Sequence, residues 1–180
     1  FYGPKGTTLR NGAVFVSEGA PDRLNRLVRY TSVQEQPGAW ATNFTSPFLA
    51  PVTANPLPEV RLRFTDVSFL ADTASRRQLL GLEGPMVGVF ELSHCQIRGA
   101  YVHVFNTTAY GMGLAWTNNL LQRCTIYLSQ PNLSRYYRFA LDAYNTLFLK
   151  GSVTLDRNYS GTTWTLKDNL FDCDTLSLPG

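Results

Sequence analysis

Large apolar and polar residues alternate in five short segments of this chain, and the segments recur at a nearly constant spacing. They are LRFTDVSF from Leu62, FELSHCQI from Phe90, LAWTNNLL from Leu114, FALDAYNTLF from Phe139 and WTLKDNLF from Trp164, with starts 28, 24, 25 and 25 residues apart. The first position holds Leu62, Phe90, Leu114, Phe139 and Trp164, and the third holds Phe64, Leu92, Trp116, Leu141 and Leu166. All are large and apolar. The fourth holds Thr65, Ser93, Thr117, Asp142 and Lys167, all polar. A period of two with one wet face predicts a strand, because a helix would bring residues three and four apart onto one face.

Each strand is followed by a predicted corner, at Asn119, Asn145 and Asn169 in the last three copies. Asparagine tolerates the left-handed backbone conformation and bonds locally through its amide, which suits a tight bend. The fourth copy carries one extra residue before its Asn, which predicts a bulge. A large apolar residue follows the corner at Leu121, Leu147 and Phe171. A second alternating run comes next: AYVHV from Ala100, TIYLS from Thr125, SVTLD from Ser152 and TLSL from Thr175. Val102 or Val104, Ile126 and Leu128, Val153 and Leu155, and Leu176 and Leu178 are expected to point inward.

A unit of about 25 residues cannot cover its own apolar face, whereas stacking one unit on the next buries a continuous core. A propeller blade needs about 40 residues and four strands, and the leucine-rich consensus with its helical return is absent. The expected fold is all-β: a parallel β-helix solenoid of about five coils of 24–28 residues over 59–180. Residues 1–58 are expected to be an irregular N-terminal lead-in or cap packed on it. Within that segment AVFVS from Ala13 and LVRYTSV from Leu27 have strand-like composition, and one short strand is expected near Phe48 and Leu49.

The alternating strand, Asn corner and second strand together resemble the right-handed β-helix of the pectate-lyase-like superfamily over roughly residues 60–178. The phrase WTLKDNLFD is similar to repeats of large secreted or surface proteins of environmental bacteria. The resemblance implies right-handed coiling, in keeping with the general crossover preference. It also implies an extracellular or cell-surface location.

Composition narrows the function. Charged residues are only 16% and aromatic residues reach 13%. The net charge of +3 comes from scattered side chains without a basic run, so nucleic acid is not an expected partner. No apolar stretch approaches the roughly 20 residues of a membrane span, so membrane insertion is not expected. The chain begins at Phe1 without an initiating Met and closes on LSLPG, which reads as a processed chain or a piece of a larger one. Three cysteines, Cys95, Cys124 and Cys173, lack CxxC spacing and are expected to be small buried hydrophobes. Sequons occur at Asn43, Asn106, Asn132 and Asn158.

Candidate chemistry falls in two places. Enzymes on the resembled fold set Asp, Arg and Lys on an outer sheet, to bind Ca²⁺ or to move a proton. The local match is Asp172 and Asp174 with Lys167 and Asp168 nearby. Asp172 and Asp174 alternate so as to share a face, but Gln122 and Arg98 stand at the level of Asp172 in other copies. No cofactor motif is present and no metal site is expected; Ca²⁺ enters only as the ion that the resemblance would imply at such a cluster. His94 and His103 are single histidines without a neighbouring nucleophile motif.

The second place is the outward column His103, Tyr127, Thr154 and Ser177, flanked by Tyr101, Thr125, Ser152 and Thr175. Tyr136 and Tyr137 lie in the adjoining loop. Rings beside hydroxyls suit sugar recognition, and ladders of rings also simply stabilise stacked strands. The expected function is a non-catalytic structural or adhesive module that associates with itself or neighbouring domains through its coil ends. A carbohydrate-binding module comes next, and a polysaccharide lyase or glycoside hydrolase last.

Overall fold

The computed structural model describes residues 7–28, 47–49, 55–69, 78–80, 87–105, 111–129, 138–156 and 161–179. All regular structure among them is β. Strand β1 (Thr7–Thr8) precedes the first level of the stack, which holds β2 (Val14–Glu18) and β3 (Asn25–Val28). After it β4 (Phe48–Leu49) returns to pair with β1. The second level holds β5 (Glu59–Arg63), β6 (Thr65–Ser68) and β7 (Gln78–Leu80), and the third holds β8 (Val89–Ser93), β9 (Gln96–Arg98) and β10 (Tyr101–Phe105). Then come β11 (Met112–Thr117) with β12 (Leu120–Ser129), and β13 (Phe139–Tyr144) with β14 (Leu147–Leu155). The outermost described level holds β15 (Thr162–Lys167), β16 (Leu170–Asp172) and β17 (Thr175–Ser177).

Each strand pairs in parallel with its equivalent on the next level, which is the defining pattern of a β-solenoid. The first face is a six-stranded sheet in the order β15-β13-β11-β8-β5-β2. The second and third faces form one nine-stranded sheet, because β12 and β14 run on through the corner between them. The regular part amounts to about three turns, 89–105, 112–129 and 139–155, instead of five equal coils. Below it the register shifts between Tyr101 and Val102 where β10 meets β7. Above it β16 and β17 are separate short strands.

The sheets also extend further upstream than 59. Strand β2 pairs with β5 from Val14↔Glu59 to Glu18↔Arg63, and β3 pairs with β6. Residues 14–28 are therefore a level of the stack, and position 58/59 is no boundary in either sheet. Ser17 stands at an inward position there and is satisfied by Thr65 (Oγ to Oγ1, 3.0 Å), while Asn25 Nδ2 donates to Ser17 Oγ at 3.2 Å. A polar residue on the apolar face is tolerable once it is bonded.

Two continuous inner columns follow from the first-face register. One is Phe15, Val60, Phe90, Leu114, Leu141 and Trp164, and the other is Ser17, Leu62, Leu92, Trp116, Ala143 and Leu166. The segments from Leu62 and Phe139 are thus displaced by two residues from the alignment of the repeat. Strand β13 pairs residue for residue with both neighbours, so the expected bulge is absent. On the second face Leu27, Val67, Ile97, Leu121, Phe148 and Phe171 stack inward, the last two rings at 4.6 Å and 6°. On the third, Leu80, Val102, Ile126, Val153 and Leu176 align.

The corners are made by left-handed residues. At the first corner these are Phe64, His94, Asn118, Asn145 and Asp168, with φ between 46° and 56°. At the second they are Gly99, Arg123, Lys150 and Gly151. Gly151, at φ 101°, is required: a Cβ there would meet the Cys124 carbonyl oxygen at 2.2 Å.

Candidate functional site

The second corner divides the aspartate cluster. Asp172 is the last residue of β16, and Asp174 is itself the bend that precedes β17, so they do not share a strand. Asp174 Oδ2 accepts the Gly151 N–H at 3.1 Å, tying the corner to the level below. Lys167 is exposed on β15 in the other sheet, and Asp168 is a left-handed corner residue. At the level of Asp172 the register sets Leu149, then Gln122 and Arg98. Among the described residues no three His, Cys, Asp or Glu side chains converge on a common point.

The third face brings its rings together. The pairings His103↔Tyr127, Tyr127↔Thr154 and Thr154↔Ser177 form one column, and Tyr101↔Thr125, Thr125↔Ser152 and Ser152↔Thr175 form the next. Tyr101 lies 5.5 Å from His103, and His103 lies 4.9 Å from Tyr127 edge to face. The Tyr127 hydroxyl donates to Asp156 Oδ2 at 2.8 Å, and that bond raises its pKa by favouring the protonated phenol. Burial lowers the His103 pKa. All three side chains are half-buried, with their rings packed on one another. Tyr136, Tyr137 and the four sequon asparagines lie outside the described residues.

The three corner asparagines divide into two roles. Asn145 is itself a left-handed corner residue, equivalent to Asn118 and exposed. Asn119 and Asn169 come one position later and turn inward. Asn119 Oδ1 accepts the Cys95 N–H at 2.8 Å while its Nδ2 donates to Leu92 O at 3.0 Å. Asn169 repeats this with the Thr146 N–H and Ala143 O, both at 2.8 Å. Each amide thus closes the corner of the level below it.

An ion pair with no signal in the sequence pattern lies on the outside of the second face. Asp66, only 6% exposed, accepts from Arg98 Nη2 at 2.5 Å, with Arg26 at 3.9 Å. It anchors the second level to the third. Two of the three thiols are sequestered too, while Cys173, expected to be buried, is partly exposed. Cys95 donates to Leu62 O at 3.2 Å and Cys124 to Ile97 O at 3.4 Å. Burial pushes their pKa values up to about 11 and about 12.

No family model matches the chain, and no curated protein or solved structure matches it either. Among the described residues no helix is long and apolar enough to cross a membrane.

Proposed function

We propose that the chain is a non-catalytic structural module of an extracellular or cell-surface protein, a solenoid that lengthens by stacking coil on coil with a second copy. One observation carries this reading. Interior levels bury their inward side chains almost completely, yet at the outermost level Leu176 and Leu178 are 44% and 45% exposed, and Trp164, Leu166 and Phe171 are only half-buried. Among the described residues, strands β15, β16 and β17 each pair on one side only, so an apolar surface is bordered by unpaired strand edges. Another coil supplies both kinds of partner at once, apolar residues inside and strand edges outside.

The residues nominated for chemistry support the same reading through their structural uses. Asp174 braces Gly151, and Asp172 is held apart from it by the corner. The right-handed, pectate-lyase-like kinship is part of this proposal and rests on the stacked corners and alternating strands. The extracellular placement rests on that kinship and on a composition poor in charge.

Sedimentation velocity over a range of concentrations tests the association. Mass is expected to rise with concentration, and Leu176→Asp combined with Leu178→Asp is expected to keep the protein monomeric. Both side chains are already nearly half in water, so the level itself survives the change. A parent protein that stays monomeric throughout overturns the proposal.

A further inference from the structure

The two ends of the stack differ. At the first level Phe15 opens one inner column of the first face, and the ring of Phe48 from β4 packs on it at 4.9 Å, itself only 2% exposed. Leu9 is buried in the same core. The segments that carry these side chains are tied down: Thr7 N–H donates to Pro47 O and Gly12 N–H to Pro56 O, both at 2.7 Å. Val14 and Val16 are exposed, but they alternate with Phe15 and Ser17 and so belong to the outer face of the sheet. Among the described residues of the last level no such cover is present. Trp164, Leu166, Leu178 and Pro179 surround, with Leu155, a recess of about 220 Å³, and the half-exposed Leu176 stands outside it.

We infer that two copies dock last level to last level, about a two-fold axis perpendicular to the stacking axis, and form a closed dimer instead of a filament. The dimer rests on the coil association proposed above and adds to it which surface receives the coil. A head-to-tail contact needs an apolar acceptor at the first level, and Phe48 and Leu9 already fill that place. The surface that lacks a cover is the last level itself, so the partner that suits it is its own copy. A two-fold contact demands self-complementarity, and one level carries both the recess and, outside it, Leu176 to enter the recess of the other copy. The rotation reverses strand direction, so the ladder across the interface is antiparallel while those within each copy are parallel.

Charge opposes this arrangement, but weakly. The last level exposes Lys167 against Asp168, Asp172 and Asp174, whereas the first exposes Arg10, Arg23 and Arg26 against Glu18 and Asp22. Like ends therefore repel and unlike ends attract. Charges this exposed are screened within about 8–10 Å at ordinary salt, while the uncovered leucines gain only at contact. The dimer is accordingly expected to tighten as sodium chloride is raised, the opposite of what a head-to-tail contact would show.

Analytical ultracentrifugation tests the polarity of docking. Alone, the parent is expected to approach twice the chain mass at high concentration and to grow no further. The variant Leu176→Asp with Leu178→Asp, checked by circular dichroism to melt close to the parent, blocks the last level and leaves the first intact. A dye on its Cys173, the partly exposed thiol on the blocked level, makes it visible in a mixture with unlabelled parent. In a head-to-tail assembly that variant still offers its first level and sediments with the parent. In the closed dimer it stays monomeric in any excess of parent. Growth of the parent past the dimer, co-sedimentation of the labelled variant, or association that weakens with added salt overturns the two-fold dimer and leaves coil association standing. A parent that is monomeric at every concentration overturns both.

Discussion

Asn118 and Asn119 are adjacent and chemically identical, yet the corner uses them oppositely. Asn118 is exposed at φ 56°, so its contribution is chiefly a backbone that accepts that conformation. Asn119 is 4% exposed and holds the Cys95 N–H and the Leu92 carbonyl. Asn119→Ala leaves both groups without a partner in the interior, and a loss of about 2–4 kcal/mol is expected. Asn118→Gly keeps the left-handed turn and is expected to stay within about 1 kcal/mol of the parent. Urea unfolding of the two variants side by side checks the contrast, and equal losses would contradict it. The buried thiols give a second residue-scale expectation. Their folded pKa values, about 11 for Cys95 and about 12 for Cys124, lie above the usual thiol value. An acid with a raised folded pKa contributes stability that is present below its unfolded pKa of about 8.5 and is lost as pH climbs through the folded value. Stability should therefore fall between about pH 9 and pH 11. The fall should be shallower in Cys124→Ala, as urea midpoints measured at successive pH values will show. Under native conditions at pH 8, iodoacetamide should reach only the partly exposed Cys173.

At the scale of the strand, alternation was legible in the sequence and register was only partly so. A slip of one residue turns every inward side chain outward, but a slip of two preserves the alternation and costs an alignment nothing. That is why Leu62 and Phe139 could stand where Val60 and Leu141 belong. The second strands left no such freedom, because AYVHV, TIYLS, SVTLD and TLSL follow corners at fixed distances, and their columns pair as their sequences suggest. The level formed by β2 and β3 was harder to see. Its inward position carries Ser17, and Val14 and Val16, which look like core, face water at 54% and 58% exposure. The line of first-corner residues was hidden for another reason: Phe64, His94, Asn118, Asn145 and Asp168 share a backbone conformation and no single side-chain type. Repeats are recognised by chemistry that recurs, and here the recurring quantity is φ.

For the whole molecule, stacking makes stability a sum over levels and the contacts between neighbours, so it should grade along the axis instead of switching off all at once. The interior levels carry Leu114, Ile126, Leu128 and Leu141 at 1% exposure or less, with partners above and below. Among the described residues, level 162–177 has neighbours on one side, and every residue of β17 is exposed. Hydrogen exchange is therefore expected to be slowest for the amides of β11 to β14 and markedly faster for β16 and β17. Concentration separates this gradient from association. If a second copy seats its coil on this level, the added ladder bonds and buried leucines protect β15 to β17 as concentration rises, while β11 to β14, already paired on both sides, exchange at an unchanged rate. Dilution should restore the original gradient, and Leu176→Asp with Leu178→Asp should abolish the concentration dependence without altering exchange in the interior. Uniform protection along the axis would instead mean that the stack opens as one cooperative unit, and the nearest-neighbour account of its stability would fail.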